Sequence, residues 1–191
     1  MRFLDLQLIE APDVLPVTPE EFTDHARLNG LTVDRQPELI TRELNAATMR
    51  AEQYMRRALI TQTLAGLYIP ESDSPTAALI ELPRGRVQSI TSVESPAGAA
   101  LDPAEWDFDG WNTITLAAAP GDRTVVTWVA GYGDQPEAVP DAIREGIYEY
   151  ATLLYESRNG SRETKYRADA GITLPRMVQD LWRPYQIEVA G

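Results

Sequence analysis

The sequence predicts an α+β fold: a helical domain with two N-terminal helices, a long helix near 140–158 and a short C-terminal helix, carrying a small antiparallel β insertion. Three observations predict it. Apolar residues recur at three- and four-residue spacing over Ile40–Ala58 and again over Ala142–Leu154, the mark of one-faced helices. From Ile60 to Gly133, short β-branched stretches alternate with Pro, Gly and Asp-Gly turns. Those strands are too short, and their joints too turn-rich, for a doubly wound α/β sheet.

In chain order, the opening residues to Val14 are expected to be extended and irregular. Thr18-Pro19-Glu20-Glu21 starts a helix: Thr18 caps, Pro19 suits the first position and Glu21 completes a capping box. Val17 and Phe22 sit where a hydrophobic staple would place them. This helix runs to about Leu28 and stops at Asn29-Gly30. A second helix begins near Pro37, with Ile40, Leu44, Ala47, Ala51, Tyr54 or Met55, and Ala58 on its stripe and Arg42, Glu43, Arg50, Glu52 and Arg57 mostly off it.

Candidate strands lie at 61–69, 78–82, 87–94, 113–116 and 124–130. Arg84-Gly85-Arg86 reads as a basic hairpin tip and Asp109-Gly110 as a hairpin turn. Gly131-Tyr132-Gly133 ends the last strand. Pro140 and Asp141 open the long helix, since proline is tolerated in a first turn and a carboxylate favours the positive end of the helix dipole. Asn159-Gly160 closes it. Residues 159–173 are polar and aperiodic and read as a mobile loop. A last short helix over 174–186 carries Leu174, Met177, Val178, Leu181 and Trp182 along one edge, with Pro184 ending it. Residues 1–191 thus read as one domain, with 60–133 as a β-rich insertion.

Composition narrows the function classes. With 191 residues, 43% hydrophobic and 24% charged, the chain can bury one good core. A formal charge of -12 argues against gripping nucleic acid by its phosphates. There is no cysteine, hence no disulfide or thiolate metal site, which fits a cytosolic product. The N-terminus lacks the layout of a secretion signal, and no apolar run suggests a membrane span. Charge is uneven: Asp5 to Asp24 holds acids and no Lys or Arg, while Ser157 to Gly191 has six basic against four acidic residues. The basic end reads either as a solvated tail or as an arm for an acidic partner.

Catalytic patterns are thin. His25 is the one histidine, so zinc sets and Ser-His-Asp or Cys-His arrangements are nearly empty, and no GxSxG elbow occurs. Asp107-Phe108-Asp109-Gly110-Trp111-Asn112 faintly resembles a calcium loop but lacks its closing glutamate; an Asp-Gly hairpin turn explains it better. Gly131-Tyr132-Gly133 lacks the lysine and further glycines of a phosphate loop. Trp182 and Tyr185 beside Arg183 have the composition of interface anchors, and equally that of a helix packed on its own domain. By itself the sequence says assembly or binding domain, with no cofactor, metal or enzymatic activity. The alternatives are a monomeric binding module and a metal-dependent hydrolase on the β insertion, with Asp107 and Asp109 as ligands.

The order of features is also similar to a known family. LPVTPEEFTDHARLNG (Leu15–Gly30) and AEQYMRRALITQT (Ala51–Thr63) resemble the two N-terminal helices of tailed-phage head–tail connector (adaptor) proteins. LPRGRVQSITSV (Leu82–Val93) resembles the strand segment after them. WVAGYGDQPEAVPDAIREGIYEYATLLYESR (Trp128–Arg158) resembles the family's best-marked block, and LPRMVQDLWRPYQ (Leu174–Gln186) its closing helix. The resemblance spans about Leu15 to Gln186 and rests on order and spacing. Arg56 stands where relatives often carry glycine, so the second helix is expected to run on further. The Pro37 start lacks the acidic pair often seen there.

The resemblance implies a structural role in a virion or phage-like particle, a phage, a prophage product or a gene-transfer particle, assembled in the bacterial cytoplasm. It implies a twelve-fold homo-oligomeric ring beneath the portal protein, joining the DNA-filled head to the stopper or tail-completion protein. Double-stranded DNA would pass through its channel without specific binding, and no membrane is involved. Acidic side chains of the N-terminal helices or the insertion are expected to line that channel, since a basic wall would hold the phosphates. The isolated chain need not form the ring. The terminal helix is expected to dock on the portal through Leu174, Met177, Val178, Leu181, Trp182, Arg183 and Tyr185. On that reading, removing Leu174–Gly191 leaves a folded domain.

Overall fold

The structure is a computed structural model that describes residues 1–26, 37–70, 78–95, 98–118, 123–158, 167–168, 171–172 and 174–187. The fold is mixed α+β, and the chain divides into two compact units. Met1–Asp13 and Arg56–Asp134 form a β unit; Val14–Met55 and Gln135–Gly191 form a helical unit.

Among the described residues the β unit holds seven strands: β1 (Arg2–Glu10), β2 (Gln62–Ile69), β3 (Ala78–Glu81), β4 (Val87–Glu94), β5 (Trp106–Phe108), β6 (Thr113–Leu116) and β7 (Thr124–Ala130). They form two antiparallel sheets rather than the one that the sequence suggests: a four-stranded sheet in the order β1-β2-β7-β4 and a three-stranded sheet in the order β3-β6-β5. β7 alternates strictly, with Thr124, Val126, Trp128 and Ala130 buried, the period of a strand with one face on a core. Leu64, Tyr68, Ile80, Leu82, Ile114 and Leu116 pack with Val126 and Trp128 into that core.

Two sequence expectations change here. The N-terminal residues are not irregular: nine of them form a strand that pairs with β2 from Arg2 opposite Ile69 to Glu10 opposite Thr63. Arg84-Gly85-Arg86 is not a hairpin tip, because β3 pairs with β6 while β4 pairs with β7. It is a crossover between sheets, pinned where the Gly85 amide donates to Arg56 O (3.0 Å) and Gly85 O accepts from the Ala58 amide (3.4 Å). Gly131 does end β7, at φ +141, and a Cβ there would come within 2.6 Å of the Ile60 carbonyl carbon. Only glycine fits such an approach.

The helical unit holds α1 (Pro19–His25), α2 (Pro37–Met55), α3 (Asp141–Arg158) and α4 (Arg176–Trp182). The capping box of α1 is formed: the Glu21 amide donates to Thr18 Oγ1 (3.2 Å) and the Thr18 amide to Glu21 Oε2 (2.9 Å). The α1 stop expected at Asn29-Gly30 lies outside the described residues. The apolar stripes of α2 and α3 are buried as their spacing requires, Ile40, Leu44, Ala47 and Ala51 on one and Ile143, Ile147 and Ala151 on the other.

The second helix does not run on. It ends at Met55, and Arg56 takes φ +55, the left-handed conformation that glycine adopts at no steric cost. Arginine therefore keeps the backbone geometry of a glycine-capped helix end. Of the loop expected over 159–173, Arg167–Ala168 and Gly171–Ile172 pair as a short antiparallel ladder; the remainder lies outside the described residues. Among the described residues, no helix is long and apolar enough to cross a membrane.

Candidate interaction surfaces

The C-terminal segment divides into two faces. Leu174, Val178 and Trp182 are buried in the helical unit. Trp182 lies against α3 at Gly146, the one position of that helix stripe without a side chain: a Cβ there would fall 2.2 Å from Trp182 Nε1. The indole Nε1 donates to Ile143 O at 3.1 Å, and the rings of Tyr54 and Tyr150 flank it at 6.0 and 6.3 Å. Beyond α4, a 3-10 turn (Arg183–Tyr185) leads to Ile187, whose amide donates to Met55 O at 3.0 Å. What the segment offers outward is Met177, 51% exposed, with exposed Arg183 and half-buried Leu181 and Tyr185.

Of the seven residues taken together as a docking set, three therefore face inward. The spacing of the apolar edge cannot separate an inward from an outward face, because the partner of Trp182 is a glycine on a distant helix. Gly146, within an otherwise apolar stripe, is the available signal.

At the α1–α3 contact, Arg144 gathers several acceptors. Its Nε donates to Pro16 O (3.1 Å), its guanidinium pairs with the Glu21 carboxylate, and Asp141 lies at 3.9 Å. Burial pushes Glu21 upward, but the Thr18 amide, the Arg144 guanidinium and the Tyr148 hydroxyl outweigh it and hold the carboxyl below its ordinary value. Tyr148 is pushed up to about 12, by burial first and then by Glu21.

Beside this network, His25 stacks on Tyr148 (ring centroids 5.1 Å apart) and its Nε2 lies 3.6 Å from Glu149 Oε1. His25, Glu145 and Glu149 place their ligand atoms within 4.8 Å of one another, a set whose chemistry suits a divalent cation. Sequence spacing cannot join them, since His25 is remote in the chain from the α3 pair.

The Asp107–Asn112 segment is the end of β5 and the turn that joins it to β6. Asp109 Oδ1 accepts from the amides of Trp111, Asn112 and Thr113 at 2.7, 3.0 and 3.0 Å, and Gly110 takes φ +78. Burial raises the Asp109 carboxyl, and these amides more than offset it, so that its pKa is lowered. That oxygen is committed to the turn, which explains the Asp-Gly pattern without a metal. At the loop, Trp111 is 55% exposed with the Arg57 guanidinium 5.7 Å from its ring centroid.

Among the described residues, the largest run of exposed apolar side chains is on β1. Phe3, Leu4, Leu8 and Ile9 are 40, 47, 53 and 57% exposed. Sequence periodicity misses this strand because adjacent pairs of apolar residues, one on each face, break the alternation expected of a strand with one buried face.

No protein-family model and no curated protein sequence matches the chain. Solved structures do. A chain in the neck of an empty GTA particle, computed with C6 symmetry, is 22% identical with a TM-score of 0.71, each chain covered over 98% of its length. A chain in the neck of a native GTA particle, computed with C12 symmetry, is 21% identical with a TM-score of 0.69 and the same coverage. A chain of the virion of a native gene transfer agent (GTA) particle is 19% identical with a TM-score of 0.70, again over 98% of both. The likeness is one of fold, from end to end of the chain, and it meets the connector-like order of features found in the sequence.

Proposed function

We propose that this chain is a structural head–tail adaptor of a phage-like particle, copies of which form a ring beneath the portal, join the head to the stopper or tail and surround the DNA exit channel. The observation that carries this reading is the end-to-end likeness to chains of gene-transfer-agent necks, structures computed with C6 and C12 symmetry. Two features support it. The order of motifs resembles connector proteins, and the formal charge of -12 suits a wall past which DNA must slide. On this reading the chain is not an enzyme, works at the head–tail interface of the particle and binds DNA without specificity.

Within Leu174–Tyr185 the roles divide. Leu174, Val178 and Trp182 fix the segment to α2 and α3. Met177, Leu181, Arg183 and Tyr185 supply the surface that meets the portal. Exposed apolar and Arg side chains on a rigid mount are the make-up of interface anchors.

The test is co-expression with the portal protein encoded in the same gene cluster, then co-purification and electron microscopy. An added ring of density on the portal supports the reading. A chain that remains a monomer and never co-purifies with the portal contradicts it, and favours a monomeric binding module.

A further inference from the structure

The four-stranded sheet of the β unit ends in two edges, β1 and β4. A free edge presents unpaired backbone amides and carbonyls, and proteins usually keep such edges short or charged. β1 is neither. It is nine residues long, and Phe3, Leu4, Leu8 and Ile9 stand exposed along it. Among the described residues no strand pairs with it on the side away from β2.

We propose that β1 of one copy pairs antiparallel with β4 of the next, so that the sheets continue from subunit to subunit around the ring. This deepens the adaptor reading and rests on it for the existence of a ring. Four features select β4 of a second copy. First, every neighbouring pair in the sheet is antiparallel, so β4 runs opposite to β1, and a repeated sheet sets them side by side in the antiparallel sense. Second, joining two different edges is a heterologous contact, which builds a ring where its rotation closes, whereas β1 against β1 would build a two-fold dimer.

Third, one register satisfies both charge and burial. With Glu10 opposite Arg86, the exposed residue just before β4, whose guanidinium lies 4.8 Å from the Tyr132 ring centroid, Leu6 falls opposite Ile90, and both are half-buried against the core of the β unit. No like charges face each other, since Asp5 falls opposite Thr91. Fourth, the irregularities match: between those two pairs each strand carries one bulged residue, Ile9 in β1 and Gln88 in β4. The ladder has a natural limit. Residues 99–101 fold back over the far end of β4, where the Leu101 amide donates to Val93 O at 2.8 Å. The Arg2 end of β1 would then meet that segment next to Asp102.

The absence of cysteine makes the test direct. Glu10→Cys and Arg86→Cys are placed in the same chain, co-assembled with the portal and mildly oxidised. Edge pairing predicts a ladder of disulfide-linked multimers on a non-reducing gel, none of it from the Arg86→Cys single variant. A ring that forms on the portal without the ladder overturns the pairing and leaves the adaptor reading standing. Dimers from Glu10→Cys alone indicate β1 against β1 and overturn it too. If no ring forms even with the unaltered chain, both readings fail. As a second arm, Glu10→Arg should abolish ring formation and Glu10→Arg with Arg86→Glu should restore it; loss that the swap does not rescue counts against the register.

Discussion

Gly146 and Trp182 occupy one space: the indole of the terminal helix lies where a side chain on α3 would be, and its Nε1 donates to Ile143 O one turn earlier, at 3.1 Å. Glycine inside a helix costs about 1 kcal/mol relative to alanine, and here the missing Cβ is what admits the ring. Trp182→Ala should therefore destabilise the helical unit by roughly 3–5 kcal/mol. Gly146→Ala should cost about 1–3 kcal/mol through overpacking. Chemical denaturation monitored by helical circular dichroism measures both. A loss under about 1 kcal/mol for Trp182→Ala would show the helix to be an appendage, because burial of so large a ring is worth more.

The same contact changes the expectation for truncation. As a docking arm, Leu174–Gly191 should be removable without harm; with Leu174, Val178 and Trp182 buried, its removal strips apolar cover from α2 and α3. We expect the truncated chain to lose its cooperative helical transition or to aggregate. Point changes on the outer face are the better probe of docking. Met177→Asp with Arg183→Glu should leave the melting curve within about 1 °C of the parent, as surface substitutions do, and still abolish co-purification with the portal.

Glu21 gives a pH signature. Its folded pKa is depressed below the ordinary glutamate value, so its contribution to stability is complete above that value and is lost as pH falls through the lower folded one. Glu21→Gln should remove this part of the acid dependence and weaken the hold of Arg144 on the α1 start. Because Glu21 is partly exposed, the effect should be modest and should shrink with salt. Denaturation midpoints across the acid range in which carboxylates titrate, for parent and variant, are the measurement. Parallel curves would contradict the assignment.

The range of each signal along the chain decides how legible it is. The Thr18–Glu21 box, the Asp109 turn and the stripes of α2 and α3 depend on residues a few positions apart, and each forms as its spacing demands. Strands β4, β6 and β7 are equally legible, since turn residues bound them. β1 is not, because it pairs with a strand far along the chain and only Leu6 of it is half-buried against the core, too little to impose alternation. The inward face of α4 and the His25–Glu145–Glu149 group are hidden for the same reason: their partners lie on other helices.

Arg56 shows the opposite case, a local signal that points the wrong way. A non-glycine residue suggests a longer helix, yet the backbone turns left-handed there, at φ +55. The conformation is held by a contact remote in sequence, the Arg56 carbonyl accepting from the Gly85 amide. Arg56→Gly should stabilise the protein by about 1 kcal/mol by relieving that strain. A drop in the thermal midpoint would show that the arginine side chain contributes more than its backbone conformation costs.

That this chain is a ring-forming adaptor is tested most directly by a cryo-electron microscopy reconstruction of the chain bound to its portal. We expect a closed ring of copies under the portal, with the Met177, Arg183 and Tyr185 face against it and a predominantly acidic bore. A portal that carries no ring of this chain, or a ring with a predominantly basic bore, would contradict that expectation.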